Sequence, residues 1–396
     1  MYTSYKSMNE VPEMKDIDSA ALTGPVRQAL GSTTAEIHHW EHHPISYINT
    51  ETSNLGLHRF KGIARVHGEE RAWSIVLKAV HAPVNETDPT YWNYHRREIL
   101  AYEEGLLNDL PGGVSAPRCL GVTKYPDGVC WLWLEDVLNP ASPTWSLTEY
   151  GLVALHLGQF NGAYLTGHTL PSLPWLSQNW LRGWLNYEEA SGREILELIR
   201  DAQFWEQPLL RSAFPHPITD EVLQLWASYD ALLATLGQLP QTFCHLDAYR
   251  PNLFIRRDAQ GANQTVAVDW VFTGIASVGE EIANLLAASL IWFEYDAVEA
   301  RSLDEAVFSG YLNGLRDAGW REDSRLVRLG YTATCALRWG VVGLWWLQDL
   351  GDPTKQAGLE NHWNRPLAEL VSQWARTTNY ILGLAQEAYR LQQDLF

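Results

Sequence analysis

A short apolar segment, FCHLDAYRPNLF at 243–254, constrains the fold of this chain more than any other. It contains His245, Asp247 and Asn252, with Pro251 immediately before the asparagine. Burying an unpaired carboxylate costs several kcal/mol at least, so a strand of the core has no use for such a cluster unless something compensates it. On a strand end, His245 and Asp247 would point to the same face. The segment therefore predicts a polar site at the edge of a sheet.

Asp269 follows in VAVDW at the end of the next apolar run. A hairpin joining NLFIRR to TVAVDW would return Asp269 to the side of Asn252. Carboxylate and amide oxygens are hard ligands, and Mg²⁺ is typically bound by one or two protein carboxylates together with substrate phosphates. These residues therefore predict a Mg²⁺ site, and the ion would offset the cost of burying the carboxylates.

The order of apolar patterns along the chain predicts an α+β fold in two lobes. Three strand-like runs between 37 and 80, a helical pattern over 91–110 and two more strand-like runs up to about 137 make a small lobe. The later segments are mainly helical. We expect a small N-terminal lobe at 1–135, which begins with a polar extension at 1–35, and a large helical lobe at 136–396.

Composition narrows the function. The net charge is −18, which argues against a general nucleic-acid binder because phosphate contacts need an excess of Lys and Arg. The N-terminus lacks the apolar stretch of a secretory signal, and the densest apolar run, at 339–347, is far shorter than the ~20 residues of a membrane helix. Four cysteines without a CxxC pair favour a reduced, cytoplasmic location. No membrane partner is expected.

The pattern H-x-D-x-x-x-x-N, followed by an Asp on the next strand, resembles the kinase-like phosphotransferases of the aminoglycoside phosphotransferase and choline kinase family. The resemblance implies a bilobal protein-kinase-like fold and transfer of the γ-phosphate of ATP to a hydroxyl. It also implies that the lobe at 1–135 binds the nucleotide and that the lobe at 136–396 carries out catalysis and binds the acceptor. It implies that Asp247 accepts the hydroxyl proton or orients the hydroxyl, and that Asn252 and Asp269 hold Mg²⁺ between phosphate oxygens. His245 would brace the loop. Arg250 would balance nearby carboxylate charge, contact phosphate or be a solvated loop residue.

A kinase-like site also needs a cation for the nucleotide phosphates. Lys78 lies in the apolar run SIVLKAV, where a lysine is costly unless it is paired. Glu98 in the following helical segment is the partner that the resemblance implies. Glu103 and Glu104 are rivals, but they lie a turn or more later and suit a solvated face.

Other nucleotide contacts are less well marked in the sequence. No GxGxxG occurs, and the first turn, SNLGLHR, contains only Gly56, which we expect to lie near the phosphates. WLWLEDV, with Glu135, corresponds to the linker between the lobes, whose backbone would bind adenine. Glu281 stands where the resembling family usually has an Asp. We interpret it as a structural brace at a helix start, where negative charge is favourable.

Several alternatives stay open. One alternative is a metal-dependent hydrolase that uses His245, Asp247 and Asp269, but it would need further His ligands, which this segment lacks. Another is an inactive nucleotide-binding module, which would not need to keep all of Lys78, Asp247, Asn252 and Asp269. Nineteen Trp fit either a core rich in large side chains or an aromatic pocket for a sugar or an organic cation. The acceptor is an amino-sugar, a sugar, a choline-like amine or a related molecule, and the acidic balance slightly favours an amine. ATP or GTP preference and oligomeric state are left undecided.

A cluster of four histidines, His38, His39, His42 and His43, precedes Pro44. Two pairs have the spacing of helical metal ligands. The surrounding pattern is typical of a strand, on which neighbouring histidines face opposite ways. We interpret the cluster as an exposed edge strand, with metal binding as the alternative.

Overall fold

A computed structural model describes residues 17–45, 54–81, 88–125, 128–137, 144–258 and 260–396. The first part of the chain forms an antiparallel five-stranded sheet flanked by helices, with strand order β1-β2-β3-β6-β5. In chain order its elements are α1 (Ser19–Leu30), β1 (Glu36–Pro44), β2 (Asn54–Val66), β3 (Glu69–His81), α2 (Arg97–Glu103), β4 (Val114–Ser115), β5 (Cys119–Lys124) and β6 (Val129–Glu135).

The two faces of the sheet have different partners. Ile75 and Leu77 of β3 are fully buried and pack with Leu22 and Val26 of α1. Because side chains alternate along a strand, Lys78 lies on the opposite face, towards α2. Alternate residues of β3 therefore pack against α1, and Lys78 points away from that core.

The second part of the chain is mainly helical. Its elements are α3 (Leu147–Thr166), α4 (Trp180–Tyr187), α5 (Glu189–Arg200), α6 (Ala202–Trp205), α7 (Pro208–Ala213), α8 (Thr219–Ala227), α9 (Tyr229–Leu236), β7 (Gln241–Cys244), β8 (Leu253–Arg257), β9 (Asn263–Ala267), β10 (Gly274–Ser277), α10 (Ala283–Ile291), α11 (Ala300–Asp317), α12 (Ser324–Trp339), α13 (Trp345–Leu350), α14 (Pro353–Trp363) and α15 (Leu367–Leu395). β7 pairs with β10, and β9 lies between β4 and β8.

Close packing of α3 against α11 fixes the position of β7. A Cβ at Gly158 would lie 2.1 Å from the Tyr311 carbonyl oxygen, so only glycine permits this approach. The Tyr311 hydroxyl donates to Asn161 Oδ1 at 2.7 Å, and Asn161 Nδ2 donates to the Phe243 carbonyl at 2.8 Å. The strand that leads into the 243–254 segment is thereby anchored to the helical core.

The predicted α+β architecture, with a small sheet-rich part followed by a large helical part, is confirmed. The exact lobe boundary between 135 and 136 stays a prediction, and residues 1–16 of the predicted polar extension lie outside the described residues. No helix within the described ranges is long and apolar enough to cross a membrane. The cytoplasmic location stays a prediction.

Three predicted helices are shorter than their patterns indicated. The helix expected over 91–110 is limited to α2, because turns precede it and Gly105, at φ 73°, follows it. The pattern at 220–239 divides at Ser228 into α8 and α9. The apolar run from 332 to 350 divides at Gly340 into α12, a short 3-10 turn and α13.

Candidate active site

A hairpin of β8 and β9 brings the 243–254 segment next to the strand that precedes Asp269. Leu253 pairs with Ala267, and the Val268 amide donates to the Asn252 carbonyl at 2.9 Å. Asp269 follows directly and has φ 64°, a left-handed conformation that non-glycine residues adopt at a cost. The predicted hairpin is present, and it ends in a strained residue at the candidate site.

The loop after β7 differs from the prediction. β7 ends at Cys244, so His245 and Asp247 do not lie on a strand, and Leu246 between them has φ 68°. The expectation that strand alternation puts both side chains on one face is wrong. A hydrogen bond joins them instead, since His245 Nδ1 accepts from the Asp247 amide at 3.1 Å.

His245 uses both ring nitrogens to hold this loop. Because Nδ1 accepts from the Asp247 amide, the ring proton is on Nε2, which donates to the Val268 carbonyl at 2.8 Å. The ring also contacts the edge of Trp270, with centroids 4.6 Å apart. His245 thus links the loop to the strand that carries Asp269, which suits a bracing role.

Glu281 holds the same loop from the other side. Its Oε2 accepts the His245 amide at 2.7 Å and its Oε1 accepts the Leu246 amide at 3.2 Å. Burial raises the pKa of Glu281, while His245 and the two amides favour the charged form. The carboxylate lies in the 3-10 turn Glu280–Ile282 just before α10, so it braces the loop from a helix start.

Three side-chain nitrogen groups donate hydrogen bonds to the carboxylate of Asp247. Asn252 Nδ2 donates to Asp247 Oδ2 at 2.9 Å, and Arg338 Nη2 and Asn284 Nδ2 donate to Oδ1 at 3.0 and 3.1 Å. Burial raises the pKa of Asp247 and Asp269 adds to that effect, whereas Arg338 and His245 oppose it. The carboxylate is therefore held in one orientation with limited access to solvent.

Arg338 and Asn284 were not among the predicted site residues. Arg338 lies in the apolar run CALRWGVVG, so the criterion that singled out Lys78, a cation inside an apolar run, also applies to it. Asn284 has no comparable signal, because a polar residue near a helix start is common.

Lys78 connects the sheet to the hairpin end. Its Nζ lies 2.6 Å from Glu98 Oε2 and 2.6 Å from Asp269 Oδ1. Burial alone would lower the pKa of Lys78, but Asp269 and Glu98 outweigh burial, and the pKa is raised. Glu98 Oε1 also accepts the Trp270 amide at 3.1 Å. One ammonium thus joins β3, α2 and the loop that carries Asp269.

The rival carboxylates have other partners. Glu103 pairs with Lys124 at 2.7 Å, and Glu104 Oε1 accepts from Trp175 Nε1 at 2.9 Å. Arg250, for which three roles were left open, pairs with Glu294 at 2.6 Å and is mostly buried. It is therefore a charge-balancing residue and not a solvated loop residue.

Gly56 and Glu135 are the two remaining residues predicted to contact the nucleotide. Gly56 is in β2 at a register shift, with φ 149°, and part of the turn before it lies outside the described residues. Glu135 accepts from Arg256 Nη1 at 3.0 Å and from the Arg118 amide at 3.1 Å, which joins the end of β6 to β8. Their roles as nucleotide contacts stay predictions.

The oxygens available for a metal are those of Asn252 and Asp269. Asn252 directs its Nδ2 to Asp247, which turns its Oδ1 away, and Asp269 directs Oδ1 to Lys78. Within the described residues neither Asn252 Oδ1 nor Asp269 Oδ2 accepts a hydrogen bond, and the Asp269 side chain is 37% exposed. This pair of hard oxygens fits Mg²⁺, which usually takes few protein ligands and fills the rest with water and phosphate.

The histidine cluster forms no comparable site. His38 to His43 lie on β1, which has a register shift between Ile37 and His39, as the strand interpretation predicted. His42 stacks on Phe60, with centroids 5.6 Å apart. Among the residues that the structure describes, no three His, Cys, Asp or Glu side chains converge to hold a metal.

Part of the chain matches a known protein family. Residues 151–323 match the phosphotransferase enzyme family. The predicted family resemblance is confirmed. This phosphotransferase-family segment contains His245, Asp247, Asn252 and Asp269, whereas Lys78 and Arg338 lie outside it. The match supports a phosphotransferase.

Solved structures of kinases are similar over most of the chain. An amicoumacin kinase in complex with AMP-PNP, Ca²⁺ and Ami is 16% identical, with 88% of this chain and 90% of that chain covered and a TM-score of 0.49. Choline kinase from Cryptosporidium parvum Iowa II is 14% identical, with 94% and 97% covered and a TM-score of 0.49. Aminoglycoside phosphotransferase from Alicyclobacillus acidocaldarius is 15% identical, with 88% and 93% covered and a TM-score of 0.45. Comparison with curated protein sequences gives no match.

Proposed function

We propose that this protein is an ATP-dependent kinase that transfers the γ-phosphate to a hydroxyl of a small molecule. The observation that carries the proposal is the position of Lys78 Nζ, 2.6 Å from both Glu98 and Asp269. A lysine on a strand, a glutamate on the next helix and an aspartate after a hairpin are the parts that position nucleotide phosphates in kinases. The family match of residues 151–323 supports the same reaction class.

Asp247 is the residue proposed to act on the acceptor. Phosphoryl transfer needs little covalent chemistry from the protein, so positioning and charge dominate. The carboxylate is fixed by Asn252 and Arg338 and would accept the hydroxyl proton or orient the hydroxyl for attack. His245 and Glu281 hold the loop that presents it.

The nucleotide end would use a separate set of side chains. Lys78 would contact phosphate oxygens, with Glu98 keeping the ammonium in place. Asn252 Oδ1 and Asp269 Oδ2 would hold Mg²⁺, which when bound neutralises charge on the phosphate oxygens. Gly56 and Glu135 remain proposed contacts for the phosphates and the adenine. The proposed acceptors are those expected from the sequence: amino-sugars, sugars, choline-like amines and related hydroxy compounds.

An assay of ADP release tests this proposal. Purified protein is given Mg·ATP and a panel of amino-sugars, sugars, choline-like amines and small hydroxy amino acids. We expect turnover with at least one acceptor, and we expect Asp247→Ala to abolish it while Mg·AMP-PNP binding persists. Asp230→Ala, at a side chain that is 92% exposed, is the matched control and should keep wild-type turnover.

Two results would contradict the proposal in different ways. Wild-type turnover by Asp247→Ala would refute the role of that residue. Nucleotide binding without turnover of any acceptor, by a folded wild-type protein, would favour an inactive kinase-fold module.

A further inference from the structure

Arg338 contacts the candidate catalytic loop at two adjacent residues. Its Nη1 donates to the Leu246 carbonyl and its Nη2 to Asp247 Oδ1, both at 3.0 Å. A planar guanidinium presents donors in a fixed fork, so this double contact fixes both position and rotation. Arg338 therefore determines where the carboxylate of Asp247 can point.

The guanidinium is itself held in place by aromatic rings. It lies 4.4 Å from the ring centroid of Trp180 and 5.6 Å from that of Trp339, and the residue is 8% exposed. Cation–π contacts strengthen when the cation is desolvated. Trp180 is on α4 and Arg338 is on α12, so two helices distant in sequence fix one side chain at the site.

The backbone beneath Arg338 needs this support. Leu246 has φ 68°, a left-handed conformation that leucine disfavours. Its amide donates to Glu281 and its carbonyl accepts from Arg338, so both polar groups of the strained residue are held. Loss of either partner would let the loop relax and move Asp247.

The hydrogen bonds also distinguish the two carboxylate oxygens. Each oxygen of an ionised carboxylate accepts about two hydrogen bonds. Oδ1 already has two donors, Arg338 and Asn284, and Asn284 is oriented by Trp339 Nε1, which donates to its Oδ1 at 3.2 Å. In the part of the chain that the structure describes, Oδ2 has one donor, Asn252. Among the described residues, Oδ2 is therefore the oxygen that keeps a free acceptor position for a substrate hydroxyl.

We propose that Arg338 is a positioning residue for phosphoryl transfer, which anchors Asp247 through Oδ1 and leaves Oδ2 to meet the acceptor hydroxyl. The inference rests on the proposed function, since it assigns a task to the same carboxylate. It goes beyond that function because it places a required side chain on α12, outside residues 151–323. Arg338 is expected to act on turnover and not on nucleotide binding.

The test compares Arg338→Gln and Arg338→Lys with Arg328→Gln. Arg328 is a second arginine on α12, with a side chain that is 18% exposed, and it pairs with Asp304 and Glu387. Its ion-pair partners among the described residues do not include Asp247, so its loss reproduces the change in charge and the loss of ion pairs away from the candidate catalytic loop. The probe is Mg·ATP with water as acceptor, read as ADP release, and binding of Mg·AMP-PNP and thermal unfolding are measured on each variant.

We expect kcat of Arg338→Gln to fall by roughly a hundredfold, the effect of misplacing a catalytic group by about an ångström. KM for ATP and Mg·AMP-PNP affinity should stay at wild-type values. Arg338→Lys keeps the charge without the fork and should recover part of kcat. Arg328→Gln should lose stability and keep kcat.

Three results would overturn the inference. Wild-type kcat in Arg338→Gln would remove the positioning role, and an equal loss of kcat in Arg328→Gln would reduce it to a general effect of stability. A folded wild-type protein that binds Mg·AMP-PNP but releases no ADP with water or any acceptor would contradict the proposed function and this inference with it. The first two results leave wild-type turnover intact and so spare the proposed function.

Discussion

Lys78 and Arg328 are both largely buried cations that lie between two carboxylates, yet their surroundings differ. Arg328 donates to both oxygens of Asp304 and both oxygens of Glu387 at 2.5 to 2.8 Å. Tyr380 adds a donor to Asp304 at 2.7 Å, and the guanidinium lies over the rings of Phe308 and Tyr331. Every carboxylate oxygen in this cluster has a partner within the protein.

Lys78 instead meets one oxygen of each carboxylate. Glu98 receives a second hydrogen bond from the Trp270 amide, but Asp269 has no other donor among the described residues, and its side chain is 37% exposed. Each cluster contains one positive and two negative groups. The Arg328 cluster is therefore complete without a ligand, whereas the Lys78 cluster keeps an exposed, negatively charged oxygen that can bind one.

The largest expected effect concerns stability at the complete cluster. Arg328→Met would leave Asp304, which is 4% exposed, without its counter-charge, and such a change costs about 3–5 kcal/mol. Denaturant unfolding followed by tryptophan fluorescence would measure the loss. Turnover of ATP per folded molecule should not change. A loss of stability no larger than that of an exposed ion pair would mean that the two clusters do not differ as described.

Lys78→Met should show the opposite pattern. Removal of a cation from the phosphates is expected to lower kcat/KM for ATP by about a hundredfold, or about 2.7 kcal/mol of transition-state stabilisation. Its cost in stability should be smaller than that of Arg328→Met, because two hydrogen bonds to carboxylates are lost instead of four, Glu98 keeps its bond from the Trp270 amide, and water can solvate Asp269. Steady-state ADP release would measure the change in kcat/KM, and denaturant unfolding of the same preparation would measure the change in stability. Unchanged kcat/KM in Lys78→Met would remove the lysine from the nucleotide site.

A metal-dependent ligand should stabilise the protein only through the incomplete cluster. At ten times its Kd, Mg·AMP-PNP should raise the free energy of unfolding by about 1.4 kcal/mol. EDTA should abolish the gain, and so should Asp269→Asn, which keeps the shape of the side chain and loses its charge. Arg328→Met should keep the full gain despite its lower stability. An equal gain in Asp269→Asn would show that this aspartate does not hold the metal.

The two clusters also differ in how far the sequence could predict them. Lys78, Asp247 and Asp269 stand out because each is a charged residue in or beside an apolar run, and the hairpin that joins the last two is local. Glu98 follows only 20 residues after Lys78. The Arg328 cluster joins residues that are 24 and 59 positions apart on three helices. No periodicity tells how such helices pack, so this cluster was not predicted.

The backbone conformation of individual residues could not be predicted from the sequence either. The order of strands and helices followed from hydrophobic periodicity, but the left-handed Leu246 did not, because leucine disfavours that conformation and only tertiary contacts enforce it. β4, which pairs with β9, is two residues long and too short for any pattern. Arg338 was missed although it met the criterion used for Lys78, since no neighbouring motif indicated that α12 reaches Asp247.

The smallest expected effect concerns an exposed ion pair. Arg182 Nη1 lies 2.8 Å from Asp230 Oδ1, a separation like those in the buried clusters, but the two side chains are 44% and 92% exposed. Because water and salt screen such a pair and the long side chain loses entropy on forming it, Arg182→Met should change the free energy of unfolding by no more than about 0.5 kcal/mol. Turnover should not change. A loss comparable to that of Arg328→Met would mean that distance, and not burial and full satisfaction of the carboxylates, governs the strength of these ion pairs.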